Sequence, residues 1–239
     1  MEVDEKMVIG HVYAFGYGKH HQLGTGNTTN QSLPTQILSY YNIHHIHSAS
    51  NYTLALNDTN LVLLWGEHFN KVPLPSRLIG KKPYIAVACG PTQLILFEKY
   101  SYFVIELNNE LSSFHQHVNN TQVVAGSCGV SHGLLLTIEG RVLPFGSNDK
   151  GQLGIDVKHI ELRRNYQLDC VPLKATIIKV ACGSYHNVVL TDQGNVYVWG
   201  DNKFGQLGVG DQNSRVLPEK LDLGEFIDDV YCGEYHTIL

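Results

Sequence analysis

The 239 residues, 43% of them hydrophobic, can bury a full core, and one domain is the default for a chain of this length. Only 16% are charged, and 17 basic against 22 acidic residues give a formal charge of -5, which argues against a phosphate-seeking surface and so against nucleic acid as a partner. No apolar run is long enough for a membrane-crossing helix, and the acidic opening MEVDEKMVIG lacks an apolar signal stretch, so the chain is expected inside the cell, in cytoplasm or nucleus.

In chain order, two phrases alternate. GHVYAFG from Gly10 is a short run closed by an aromatic-glycine pair, and it returns as NLVLLWG from Asn60, GRVLPFG from Gly140 and GNVYVWG from Gly194. The other phrase is SASNYTLAL from Ser48, ACGPTQLILF from Ala88, SCGVSHGLLL from Ser127, ACGSYHNVVL from Ala181 and YCGEYHTIL from Tyr231. From Ala49 to Gly66, Gly129 to Gly146 and Gly183 to Gly200 the separation is 17 residues each time. Adding 17 to Gly90 reaches Leu107, so LILFEKYSYFVIEL, residues 94 to 107, is predicted to hold a strand pair whose closing glycine has been lost.

Runs such as HNVVL and NVYVWG, joined by TDQG, have the β-branched and aromatic content and the turn chemistry of an antiparallel hairpin. Repeating all-β units joined by Gly-rich turns bury both faces only against their neighbours, which favours a propeller over a sandwich. Two halves stay unmatched: Gly16 closes a phrase with no first half, and Gly233 opens one with no second half. Gly10 to Gly16 is therefore expected to pair in one blade with Val230 to Leu239.

The stretch VYVWGDNKFGQLGVGDQNSRVLPEKL at 196 to 221, with GQLG again at 151 and HQLGTGNTTNQSLPTQI at 21, resembles the repeat of the regulator of chromosome condensation family. The resemblance covers almost the whole chain. It implies an all-β fold, a β-propeller of about five blades against the family's usual seven, with residues 1–239 as a single propeller domain. Two arrangements fit: a ring closed by pairing of the N- and C-terminal half-blades, or a fragment of a seven-bladed ring.

Recurring polar residues point to structure rather than chemistry. His132, His186 and His236 hold one place in the first phrase, with Tyr52 and Gln93 at the equivalent positions, and are expected to satisfy turn backbone groups. The clusters HHIH at 44 to 47 and HQH at 115 to 117 have the residue type of metal ligands but sit in or near ordinary connecting segments. Cys89, Cys128, Cys170, Cys182 and Cys232 contain no C-x-x-C pair and read as free thiols. No cofactor, metal or catalytic residue is assigned.

One segment breaks the repeat. Gly24 to Pro34 and Gly208 to Pro218 take ten residues, and Gly154 to Pro172 takes eighteen. The longer link, IDVKHIELRRNYQLDCV, concentrates Lys158, His159, Arg163, Arg164 and Tyr166 in an acidic protein. Lys158, Arg163, Arg164 and Tyr166 are the candidate partner-binding residues, because insertions on propellers map to loops and Arg and Tyr dominate binding hot spots. The expected function is a non-catalytic scaffold that binds a protein partner through loops on a propeller face. The alternative, implied by the resemblance, is guanine-nucleotide exchange on a small GTPase. Oligomeric state is left open.

Overall fold

The computed structural model describes residues 11–39, 42–67, 76–77, 84–98, 101–107, 111–118, 121–155 and 170–239, and all regular structure in them is β. The chain divides into two compact units, Met1–Val87 and Ala88–Leu239. In the first, β1 (Val12–Gly16) and β2 (Gln31–Ile37) form a two-stranded sheet, and β3 (Ile43–Ser48), β4 (Tyr52–Asn57), β5 (Val62–Gly66) and β6 (Ser76–Arg77) form a four-stranded one.

β7 (Ala86–Cys89), β8 (Gln93–Phe97), β9 (Ser101–Leu107) and β10 (Leu111–Val118) make the next four-stranded sheet. In the second unit there follow a three-stranded sheet of β11 (Val123–Cys128), β12 (His132–Thr137) and β13 (Val142–Gly146), and a four-stranded sheet of β14 (Ile177–Cys182), β15 (His186–Thr191), β16 (Val196–Gly200) and β17 (Arg215–Lys220). The last is the pair β18 (Tyr231–Cys232) and β19 (Thr237–Ile238). Each sheet is an antiparallel meander in sequence order.

The middle strands β4, β12 and β15 are buried along their whole length, which is why YTLALN, HGLLLT and HNVVLT show no clean alternation. Their hairpins close on a five-residue turn: Thr191 N–H donates to the Asn195 carbonyl at 2.9 Å and Thr137 N–H to that of Arg141 at 2.9 Å. Gly194 and Gly140 take φ of +73° and +72° there, and Asn60, at +58°, fills the same place in the β4–β5 turn. Consecutive sheets share their cores: Val171, Leu134 and Val142 pack with Ile177, Val189 and Trp199 of the following blade.

Two expectations are corrected in detail. The strand pair within 94 to 107 forms, as β8 with β9, but Gln93 pairs with Glu106, one residue before the expected Leu107. The cause is a shorter turn, in which Glu98 N–H reaches Ser101. The expected joint blade of Gly10–Gly16 with Val230–Leu239 would bridge the two units, in which β1 pairs with β2 and β18 with β19.

The blade-four insertion is also shorter than the prolines suggest. Leu221 N–H donates to the Val196 carbonyl and Val171 N–H to that of Val142, so Val171, not a residue near Pro172 at the register of Pro218, is the counterpart of Leu221 and of Ile37, which pairs with Val12. All three are buried aliphatic plugs. Gly24 to Ile37 and Gly208 to Leu221 span 13 residues and Gly154 to Val171 spans 17, an excess of four rather than eight.

Candidate functional site

The recurring glycine-x-x-histidine phrase builds a turn in which the imidazole folds back over the glycine. Gly129 N–H donates to the His132 carbonyl at 2.8 Å and Gly183 N–H to that of His186 at 2.9 Å. A Cβ at either glycine would collide with the ring it covers. Both rings are fully buried. His132 Nε2 lies 3.0 Å from Asn187 Oδ1, and Asn187 Nδ2 already donates to the Gln152 carbonyl at 2.7 Å, so the imidazole donates and carries its proton on Nε2. Each Nδ1 lacks a hydrogen-bond partner among the described residues. Burial holds both histidines down to about pKa 4, against the smaller opposing pull of the Asn187 bond at His132 and of the His236 backbone at His186.

Gln93 fills the same register and donates from Nε2 to the His132 carbonyl at 2.6 Å. The bonds therefore run from blade to blade. The Gln93 side chain satisfies a turn backbone carbonyl, as expected of these positions, whereas the His132 ring meets the Asn187 side chain instead.

A second repeated set locks two of the blades onto the Gln-Leu-Gly turn of the one before. The Gln22 carbonyl accepts from Trp65 Nε1 at 2.9 Å and Thr53 Oγ1 at 2.9 Å, and the Gln152 carbonyl accepts from Trp199 Nε1 at 3.0 Å and from Asn187. Trp65 and Trp199, at their strand ends, are thus buried packing elements, whereas Phe15 at the end of β1 is exposed.

The other candidates separate on geometry. His44 bonds the Asn57 carbonyl at 2.7 Å while His45 meets it edge-on, and burial lowers the pKa of His45 and His47, each further lowered by the preceding histidine of the cluster. Among the described residues no group of three His, Cys, Asp or Glu could hold a metal ion. The cluster at 115 to 117 lies on β10, outside the described side chains. No helix among the described residues is long and apolar enough to cross a membrane.

Lys158, His159, Arg163, Arg164 and Tyr166 lie outside the described residues. The structure does define both ends of their segment. Upstream, Leu153 is buried with its N–H on Asn148 Oδ1 at 2.9 Å, and Gly154 lies against the Trp199 indole. Downstream, Val171 is held by the Val142 carbonyl at 2.9 Å and sunk in the core beside Trp199. In the corresponding link of the next blade the basic residue is Arg215, and it is engaged: Nη2 meets Asp211 Oδ2 at 3.0 Å and Nε meets Glu219. These carboxylates were not singled out in the sequence, though their spacing of four residues on either side of the arginine was visible.

Clefts beside the links recur. One of 410 Å³ is lined by Glu139, Arg141, Cys170 and Pro172, and one of 320 Å³ by Gln193, Lys220, Asp222 and Phe226, at equivalent places in consecutive blades. Their recurrence marks them as architecture.

Sequence models of the "Regulator of chromosome condensation (RCC1) repeat" match residues 10–56, 139–190 and 193–239, and, in a second form, 123–152 and 177–206. The chain is 40% identical over 121 residues to Protein RCC2 homolog of Xenopus laevis, a match covering 49% of this chain and 23% of that protein. It is 26% identical over 245 residues to the Ultraviolet-B receptor UVR8 of Arabidopsis thaliana, covering 95% of this chain and 46% of the receptor. Among solved structures, human WBSCR16 superposes with a TM-score of 0.81 at 19% identity, over 96% of this chain and 67% of that one. Yeast RCC1 (Prp20), solved bound to Kap60, gives 0.81 at 19% identity, over 95% and 61%. The chain thus spans from about a quarter to under half of these two curated relatives. With the repeat matched over 10–56 and 123–239, and with the antiparallel blades these neighbours share, the chain belongs to the regulator of chromosome condensation (RCC1) repeat family and has its β-propeller fold.

Proposed function

We propose that this chain is a non-catalytic interaction scaffold, a single propeller domain working inside the cell, that captures a protein partner through the blade-four link carrying Lys158, Arg163, Arg164 and Tyr166. The observation that carries this reading is the anchoring of that link. Gly154 and Val171 are held against Trp199 at the two ends of a link four residues longer than its counterparts, and longer links on propellers are where recognition residues are carried. The recurrent polar side chains Gln93, His132 and Asn187 make blade-to-blade bonds, in keeping with a structural role. Arginines in an acidic chain suit a carboxylate-rich partner surface.

One observation favours a second reading, guanine-nucleotide exchange. Yeast Prp20p, whose structure is described with its binding to Gsp1p and histones, superposes with a TM-score of 0.78 over 95% of this chain at 18% identity. Mixing the protein with small GTPases loaded with a fluorescent nucleotide separates the two. Capture without faster release, lost about tenfold in Arg163→Glu/Arg164→Glu at unchanged thermal stability, supports the scaffold. Faster release that the double variant abolishes replaces it with the exchange factor. A double variant that unfolds makes the arginines structural and removes the recognition role.

A further inference from the structure

The clefts at Gly140 and Gly194 share one backbone frame and differ in what lines it. Val171 N–H on the Val142 carbonyl and Leu221 N–H on that of Val196 fix one wall, and Ile177 N–H on Gly140 and Ile227 N–H on Gly194 fix the other. Residues 170–176 therefore answer one by one to 220–226, and the turn 138–141 to 192–195. In and beside this frame, four carboxylates of the Gly194 cleft give way to apolar side chains at Gly140. Asp192 becomes Ile138, Asp222 becomes Pro172, Glu225 becomes Ala175 and Asp228 becomes Ile178.

The fold does not require these exchanges. Ile138 N–H donates to the Gln122 carbonyl at 2.9 Å just as Asp192 N–H does to that of Thr176 at 3.0 Å, and a turn favours the aspartate. Ile138 and Ile178 are 60% and 54% exposed, on either side of the bond from Ile177 to Gly140. The charge changes as well: Arg141 and Lys174 stand exposed where the Gly194 cleft has Asn195 and Gly224, Cys170 stands in place of Lys220, and Glu139 is the acid that remains.

The Gly194 cleft is also partly filled by its own chain. The Phe226 ring lies over Gly194, whereas at Gly140 the side chain in that place is Thr176, which covers the glycine with a methyl group. The cleft at Gly140 is the larger, 410 Å³ against 320 Å³. Phe226 arrives in DLGEFIDD, an acidic segment with one aromatic ring, so the molecule itself shows what such a cleft accepts.

We propose that the cleft at Gly140 seats an aromatic side chain from an acidic segment of the partner held by the blade-four link. The proposal rests on capture through that link, whose downstream end, Cys170 and Val171, is a wall of the cleft. The partner's ring takes the room beside Thr176 that Phe226 fills in the other cleft, Ile138 and Ile178 extend the apolar contact, and Arg141 and Lys174 meet the flanking carboxylates. The partner is then read by shape as well as by charge.

Fluorescence anisotropy with two labelled glutamate-rich peptides, one carrying a single phenylalanine and the other alanine in its place, tests the proposal. The wild-type chain should bind the phenylalanine peptide about tenfold more tightly. Thr176→Phe, which supplies the ring from the chain itself, and Ile138→Asn, a neutral turn former, should each reduce that preference below about threefold. Affinity for the alanine peptide and the melting temperature should stay as they were. Equal binding of the two peptides by the wild type, or binding of neither, overturns the proposal, as does a preference that survives both variants. Arg163→Glu/Arg164→Glu should weaken both peptides alike and keep their ratio. Equal binding that still responds to the arginines removes the cleft and leaves the link, whereas a preserved ratio that ignores them removes the link and confines recognition to the cleft.

Discussion

Mild acid should destabilise this protein through His132 and His186. Both are held near pKa 4 against an ordinary 6.5, because burial and an Nδ1 without an acceptor disfavour the cation. The unfolded chain therefore binds more protons than the folded one between about pH 6.5 and 4. Stability is full above that window and falls as pH drops through it. At pH 5 the unfolded histidine is almost fully protonated and the folded one is not, a penalty of about 2 kcal/mol each and about 4 kcal/mol for the pair. That is a large share of the 5–15 kcal/mol typical of a folded domain.

The control lies in the sequence. Gln93 occupies the same register and donates to the next blade while carrying no titratable group, so His132→Gln/His186→Gln should keep a neutral donor at both places. Urea unfolding at pH 7 and pH 5 measures the effect. The wild type should lose about 4 kcal/mol between the two, and the double variant less than half of that. Equal losses would refute the reasoning, because acid sensitivity would then reside elsewhere.

Trp199→Phe should lower unfolding free energy by about 2 kcal/mol in urea titration, through the lost bond to the buried Gln152 carbonyl and the smaller ring. Asn187→Thr should cost under about 1 kcal/mol and Asn187→Ala about 2 to 3 kcal/mol, because Thr237 at that register both donates to Gln206 and meets His186 Nε2 at 3.3 Å. Cys128 is buried with its thiol pKa pushed up by that burial, so iodoacetamide at about pH 8 should leave it unmodified in the native protein and label it in urea, as read by peptide mass spectrometry.

The blades were legible because a buried hairpin between identical neighbours repeats its sequence as strictly as its contacts. The 17-residue spacing found β9 without its aromatic-glycine mark, since strand alternation in SYFVIEL survived the loss. The spacing could not see that the turn at 98 to 101 closes one residue early. Pro172 misled for a related reason. Pro34 and Pro218 stand three residues before Ile37 and Leu221, but what the fold fixes is the buried aliphatic plug, and in blade four that is Val171 with Pro172 after it. A residue whose side chain fills a core is a better ruler than one that merely recurs.

The same distinction bears on function. Departures from a repeat that come in matched pairs are packing: Gly133 replaces Thr53 or Asn187 where Phe145 replaces Trp, because the Phe145 ring lies on the bare Cα of Gly133. Such pairs conserve the interface and leave nothing over. Departures without a compensating partner are different. The link from Gly154 to Val171 is four residues longer than its counterparts from Gly24 to Ile37 and from Gly208 to Leu221. In a molecule that binds its own blades with its recurrent polar side chains, groups free to bind something else are to be sought at these uncompensated places, and a substitution there should move association while leaving stability where it was.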